Sequence, residues 1–161
     1  MLTPDQIRAF LEEVKDPEIP VLSLNDLGVI TGVEVAPETG HVTVRMTPTF
    51  AGCPAMEYMR AEVEQSLQRH GVEAFTVVMS FDEPWNSNKI SEKGRKALKD
   101  FGLAPPQPYQ GILDLDILEY AECPNCHSKN TTLRTPFGPT LCRAMYFCND
   151  CRQLFEQFKP L

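Results

Sequence analysis

The chain has 161 residues, 42% hydrophobic and 23% charged, which suits one ordinary domain plus a small second one and argues against global disorder. Its net charge of −7 is uneven: residues 1–85 hold 5 Lys/Arg against 14 Asp/Glu (net −9), and residues 86–161 hold 10 against 8 (net +2). An acidic front half lacks the clustered cations that displace phosphate counterions, so nucleic acid is not expected as a partner. No apolar run approaches the ~18 residues of a membrane span, and the start Met1-Leu-Thr-Pro-Asp-Gln6 carries no basic and apolar leader pattern. The expected setting is the cytoplasm, where six cysteines are thiols or metal ligands rather than disulfides.

Thr3-Pro-Asp-Gln6 starts a helix, with Thr3 as N-cap and Gln6 completing a capping box. Ile7, Phe10, Leu11 and Val14 give it one apolar face, and Lys15-Asp-Pro-Glu-Ile-Pro20 stops it. Asp16, Glu18 and Asp26 are carboxylates that cap turns or face solvent, unless the loop folds toward Cys53 and they help hold a metal or steer a partner. The spacing predicts a strand over Leu27–Val35, a turn at Pro37-Glu-Thr-Gly40, and a second strand over His41–Thr47. His41 reads as a surface residue.

Pro48 and Gly52 then lead to Cys53, Pro54 and a helix with Met56, Met59, Val63 and Leu67 on one stripe, ending near Gly71. The methionines read as core filling, and His70 sits in the last turn. Cys53 is expected at the N-cap of that helix, where the positive end of the dipole lowers a thiol pKa and favours a nucleophile or metal ligand. Its alternative role is a small buried apolar side chain. Ala74–Phe81 is a third strand with Phe75, Val77, Met79 and Phe81 on one side. Strand, helix and strand form a crossover unit, so the second and third strands should be parallel. The expected fold class is α+β: an α-β-β-α-β sandwich over residues 1–102, a Pro-rich linker over 103–118, and a β zinc-ribbon domain over 119–161.

The only tryptophan lies in the loop Asp82-Glu-Pro-Trp-Asn-Ser87. A short helix follows over Ser91–Phe101, whose Lys89, Lys93, Arg95, Lys96 and Lys99 read as a solvated basic face or a dock for an acidic partner. Ala104-Pro-Pro-Gln-Pro-Tyr109 reads as a stiff extended segment.

Cys123-Pro-Asn-Cys126 and Cys148-Asn-Asp-Cys151 are two C-x2-C knuckles separated by 21 residues, the pattern of a zinc ribbon. Two knuckles close a tetrahedron with no open position, so the metal should be structural; iron in a rubredoxin-like site uses the same knuckles. Strands are expected at Thr131–Thr135, Ala144–Phe147 and Leu154–Phe158. Both knuckles lack a glycine after the second cysteine, where His127 and Arg152 stand. His127 is too close to Cys126 to replace a thiolate, and Cys142 reads as a buried side chain rather than a second-site ligand. With three histidines and no hydrolytic triad, phosphate loop or dinucleotide fingerprint, Cys53 is nearly the only plausible nucleophile.

Asp16-Pro-Glu-Ile-Pro20, Asp26-Leu-Gly28, Thr49-Phe-Ala-Gly-Cys-Pro54, and Pro84-Trp85 with Ile90-Ser-Glu-Lys-Gly-Arg95 make about residues 5–102 resemble the SufT-like family of iron–sulfur assembly factors. Joined to Cys123–Cys151, that domain resembles the PaaD (PaaJ) family of the bacterial phenylacetyl-CoA epoxidase system. The resemblance implies a non-catalytic accessory role in aerobic phenylacetate breakdown, beside a di-iron oxygenase and a flavin and iron–sulfur reductase. It places the family's cysteine on Cys53 and its acidic motif on Asp16 and Glu18. It implies transient iron or iron–sulfur binding at Cys53, with a homodimer or recipient protein supplying further ligands. The alternatives are a structural zinc-binding adaptor and a thiol enzyme acting on acyl-CoA.

Overall fold

The structure is a computed structural model that describes residues 1–108, 118 and 120–160. These residues form two compact units, Met1–Trp85 and Asn86–Leu161. The division falls earlier in the chain than the boundary expected at 102, because the helix over Glu92–Phe101 belongs to the second unit. Of the expected linker, residues 109–117 lie outside the described residues.

In the first unit, helix α1 (Pro4–Phe10) starts as the sequence dictates. Thr3 Oγ1 accepts from Gln6 N–H at 3.2 Å and Gln6 Oε1 accepts from Thr3 N–H at 2.9 Å. Such a cap is worth about 1 kcal/mol. Leu27, expected to open the first strand, instead belongs to the short helix α2 (Leu24–Leu27). Ser23 caps it by accepting from Asp26 N–H at 3.0 Å, and Gly28 ends it at φ 78°, a conformation that disfavours any side chain. Strand β1 therefore begins later, at Ile30, and runs to Val35.

Strand β2 (Val42–Met46) pairs antiparallel with β1 and parallel with β3 (Phe75–Met79), in the order β1-β2-β3. Helix α3 (Met56–Arg69) is the crossover between β2 and β3, so the expected parallel pairing is present. Val42, Val44 and Met46 are fully buried, as are Val63 and Leu67 of the α3 stripe. Each such side chain contributes roughly 1.5–3 kcal/mol by leaving water. Phe81 does not join the inner face of β3 and is 71% exposed, because the strand ends at Met79 and Ser80 turns the chain onto Asp82.

Trp85 closes this unit. Its ring is 7% exposed and its Nε1–H donates to Leu27 O at 2.8 Å. His41 is at the surface, bonded to Thr76 Oγ1 at 2.8 Å, and His70 stacks on Phe10 with ring centroids 4.3 Å apart.

In the second unit, Ser91 caps helix α4 (Glu92–Phe101) through Gly94 N–H, and Gly102 ends it at φ 93°. The next two residues, Leu103–Ala104, are strand β4, parallel to β7 (Leu154–Phe158). They are buried, and Pro105 O and Pro106 O accept from Gln157 and Arg95. Leu103 and Ala104 are therefore built into a sheet, in contrast to the extended linker expected there: β7 offers an unpaired edge, and the bonds from Arg95 and Gln157 hold the following prolines beside it. The sheet runs β4-β7-β6-β5, with β5 at Thr131–Thr135 and β6 at Arg143–Cys148. Its small core centres on Tyr146, which stacks on Phe155 and donates to Leu118 O at 2.6 Å.

Candidate functional site

The four expected ligands converge. Each knuckle is shaped by its own backbone: His127 N–H donates to Cys123 O at 2.8 Å and Cys123 N–H to Ser128 O at 2.9 Å. The second knuckle repeats this, with Arg152 N–H to Cys148 O and Cys148 N–H to Gln153 O, both 2.9 Å. This geometry requires a left-handed residue after the second cysteine. His127 (φ 62°) and Arg152 (φ 60°) supply it at a cost of roughly 1–2 kcal/mol each, where a glycine would be unstrained.

Cys123 Sγ lies 3.7 Å from Cys151 Sγ, and Cys126 Sγ 3.5 Å from Cys148 Sγ. All four sulfurs are within 4.8 Å of one another. A tetrahedral ion with bonds of about 2.3 Å requires sulfurs about 3.8 Å apart, so the residues fit a tetrathiolate metal with no open position. Among the described residues they are the one group of three or more Cys, His, Asp or Glu side chains so placed. Crowding splits their titrations. The Asn125 side chain, with the Gln153 N–H and neighbouring thiols, holds Cys151 down to about 6. Cys126 is pushed up to about 12: the Ser128 N–H favours its thiolate, but desolvation and the other thiols outweigh that.

Cys142 stays outside this cluster, 8% exposed, with Thr140 Oγ1 3.1 Å from its sulfur. The lysines of α4 are exposed, as expected of a solvated face, while Arg95 is partly buried. Arg95 donates to Pro106 O and Ser87 O, Lys96 pairs with Asp100, and Lys99 with Glu122.

Cys53 is not at the N-cap, which is Ala55. The loop needs two further residues to turn: Cys53 N–H donates to Phe50 O, and Cys53 O accepts from Met56 N–H, both at 3.3 Å. The expected lowering of its pKa is reversed. Burial pushes the half-buried thiol up and the Asp16 and Glu18 carboxylates add to that, against the Ala55 N–H and the Thr49 hydroxyl. The acidic loop therefore does bear on Cys53. Asp16 also caps its own turn, with Oδ1 accepting from Glu18 N–H at 2.8 Å and Ile19 N–H at 2.9 Å. Cys53, Asp16 and Glu18 are not among the groups of described residues that could hold a metal ion. Thr49 and Ala55, partners of the thiol, gave no signal in the sequence beyond their place in the loop.

A pH consequence follows from these charges. Alkylation of Cys53 requires the thiolate, so its rate should rise with pH about a midpoint above that of an ordinary cysteine. Removing one negative charge with Glu18→Gln should move that midpoint down. Mass spectrometry of the Cys53 peptide after iodoacetamide treatment across pH reads both; a wild-type midpoint below the ordinary value would contradict the electrostatics.

The fold and site define a two-part protein, an α+β unit of assembly-factor type followed by a four-cysteine β-ribbon. The family model described as "Iron-sulfur cluster assembly protein" matches residues 4–78, and that described as "PaaD zinc beta ribbon domain" matches residues 116–159. An Escherichia coli K12 protein named as a subunit of a "Putative 1,2-phenylacetyl-CoA epoxidase" is 36% identical over 96% of this chain and 91% of its own. The chain belongs to the PaaD family. A "Fe-S protein maturation auxiliary factor" of Porphyromonas gingivalis is 37% identical over 56% of this chain and 86% of its own. The crystal structure of a "Domain of Unknown Function DUF59 from Bacillus anthracis" covers 59% of this chain and 90% of its own, with 28% identity and a TM-score of 0.55. No helix among the described residues is long and apolar enough to cross a membrane.

Proposed function

We propose that this chain is a cytoplasmic accessory subunit of a phenylacetyl-CoA epoxidase complex that assists iron or iron–sulfur centre assembly through Cys53. The observation that carries this reading is the contrast between its two thiol sites. The ribbon gathers four thiolates and needs no outside ligand, whereas Cys53 has two carboxylates bearing on it and too few donors to hold an ion alone. The field of Asp16 and Glu18 that keeps the thiol protonated also draws a divalent cation, which displaces the proton when it binds. Such a site passes a metal on once a recipient, or a second copy of the chain, completes the ligand set. In this reading iron is cargo, and Cys53 is a transient contact rather than the catalytic nucleophile of an enzyme.

The ribbon holds zinc, which suits a closed tetrahedral tetrathiolate and stabilises the small sheet that docks the oxygenase or reductase. The relative named as an epoxidase subunit and the relative named as an iron–sulfur maturation factor support the two halves of this reading. The experiment is to co-express the complex with wild-type chain or Cys53→Ser and measure iron in the purified oxygenase and reductase, with metal analysis of the chain itself. Iron in the recipients should fall by at least an order of magnitude with Cys53→Ser, while zinc in the chain is unchanged. Full iron occupancy with the serine variant would leave the chain a structural adaptor.

A further inference from the structure

Each knuckle is fixed internally by its own two backbone hydrogen bonds, so each is a preformed pair of thiolates. Those bonds leave open how one pair faces the other. On the strand side the relation is set by the β5–β6 ladder, which places Thr131 opposite Cys148. Across the outer side it is set by side chains. Asp150 lies between Cys148 and Cys151, and its carboxylate accepts from Ser128 Oγ–H and, at 3.0 Å, from Asn130 Nδ2–H, both just past the first knuckle. Ser128 Oγ is itself held by Asn130 N–H at 3.0 Å. The neighbouring Asn149 reinforces the link, its N–H donating to Asn130 O at 2.9 Å and its side-chain amide to Asn130 Oδ1 at 3.0 Å.

The first knuckle reciprocates from the equivalent position. Asn125, the residue before Cys126, hydrogen-bonds the thiol of Cys151 in the second. Asn125 and Asp150 occupy the same place in their C-x2-C motifs, and each reaches across to the other half.

We propose that Asp150 is a positioning residue that locks the two thiolate pairs in the relative orientation the metal needs. A carboxylate beside a centre built of four thiolates is electrostatically unfavourable. Asp150 therefore acts through the geometry of its two accepted hydrogen bonds and not through its charge. The two bonds fall on different oxygens, Oδ2 for Ser128 and Oδ1 for Asn130; an asparagine keeps the Asn130 bond at its amide oxygen and can donate its NH2 to the Ser128 hydroxyl, spanning the same gap without the charge, whereas alanine removes both. The two substitutions thus separate tether from charge.

The test uses the full chain loaded with zinc, and with cobalt as a spectroscopic probe. Zinc affinity is read by competition with a chromogenic chelator. Asp150→Ala should weaken binding by about 10–100-fold, as loss of an outer-shell partner does, and should alter the visible band pattern of the cobalt form. Asp150→Asn should stay within a few-fold of wild type and keep its spectrum. Ser128→Ala probes the same contact from the other knuckle and should lose several-fold. Wild-type affinity in Asp150→Ala, or an Asp150→Asn as weak as Asp150→Ala, overturns the proposal. Should Asp150→Ala not fold, an unchanged affinity and spectrum in Ser128→Ala overturns it.

Discussion

Cys148→Ser should abolish the cooperative unfolding transition of the second unit and leave that of the first in place. Cys148 is fully buried and stands both in the four-cysteine cluster that could hold a metal and in the core with Ala121, Cys123, Ala144, Tyr146 and Phe155. The cluster around the four cysteines contains two large aromatic side chains and otherwise small ones, and Ile90, Leu98, Leu103 and Phe158 add only a few large buried side chains to the second unit, too little apolar surface to offset its chain entropy. Metal binding must supply the difference, and structural zinc in small fingers contributes about 10–16 kcal/mol. Three remaining thiolates and a poorly ligating hydroxyl forfeit most of it. The sole tryptophan, Trp85, lies in the first unit, so its fluorescence follows that unit while circular dichroism follows both. In Cys148→Ser, or in wild type stripped by a chelator, the Trp85 transition should persist while the ribbon's share of the dichroism melts without a transition. A single unchanged calorimetric profile in the variant would show that the metal is dispensable.

The second large effect is expected at Trp85. Trp85→Ala should destabilise the first unit by about 3–5 kcal/mol, through loss of a large buried ring and the void left behind. That lowers its calorimetric midpoint by roughly 12 °C or more. Trp85→Phe keeps most of the apolar contact but leaves Leu27 O without the indole N–H, a loss of about 1–3 kcal/mol. Calorimetry of the zinc-loaded protein separates this from the ribbon. Equal midpoints for Trp85→Phe and wild type would mean that the hydrogen bond contributes nothing.

The same contact explains a relation that the sequence displayed without a reason. Asp26-Leu-Gly28 and Pro84-Trp85 are far apart in the chain, and both belong to the segments by which the sequence resembles iron–sulfur assembly factors. In the fold, the carbonyl of Leu27 receives the Trp85 indole, beside the turn that Gly28 makes possible. One motif is the partner of the other.

Local chemistry by itself determined much of this protein. The Thr3–Gln6 capping box, the alternation along β2, the Met56–Leu67 stripe, the Ser91 and Gly102 helix ends and the three ribbon strands all follow from interactions within a few residues. The four-cysteine cluster was legible for the same reason, since a C-x2-C knuckle is a local backbone shape repeated twice. The positive φ at His127 and Arg152 was not legible, because neither position carries the glycine that would have signalled it.

Tertiary structure decided what depends on neighbours distant in sequence. Cys53 looked like a helix cap with a low pKa, and local geometry alone would have made it one. The loop runs two residues longer than that geometry needs, and the thiol is partly buried beside Asp16 and Glu18, residues more than thirty positions away. Desolvation and like-charge fields are properties of the packed surroundings, and they reverse the sign of the shift. Likewise, Leu103 and Ala104 carry no signal for a strand, because a two-residue strand exists only where another strand, here β7, offers an edge to pair with.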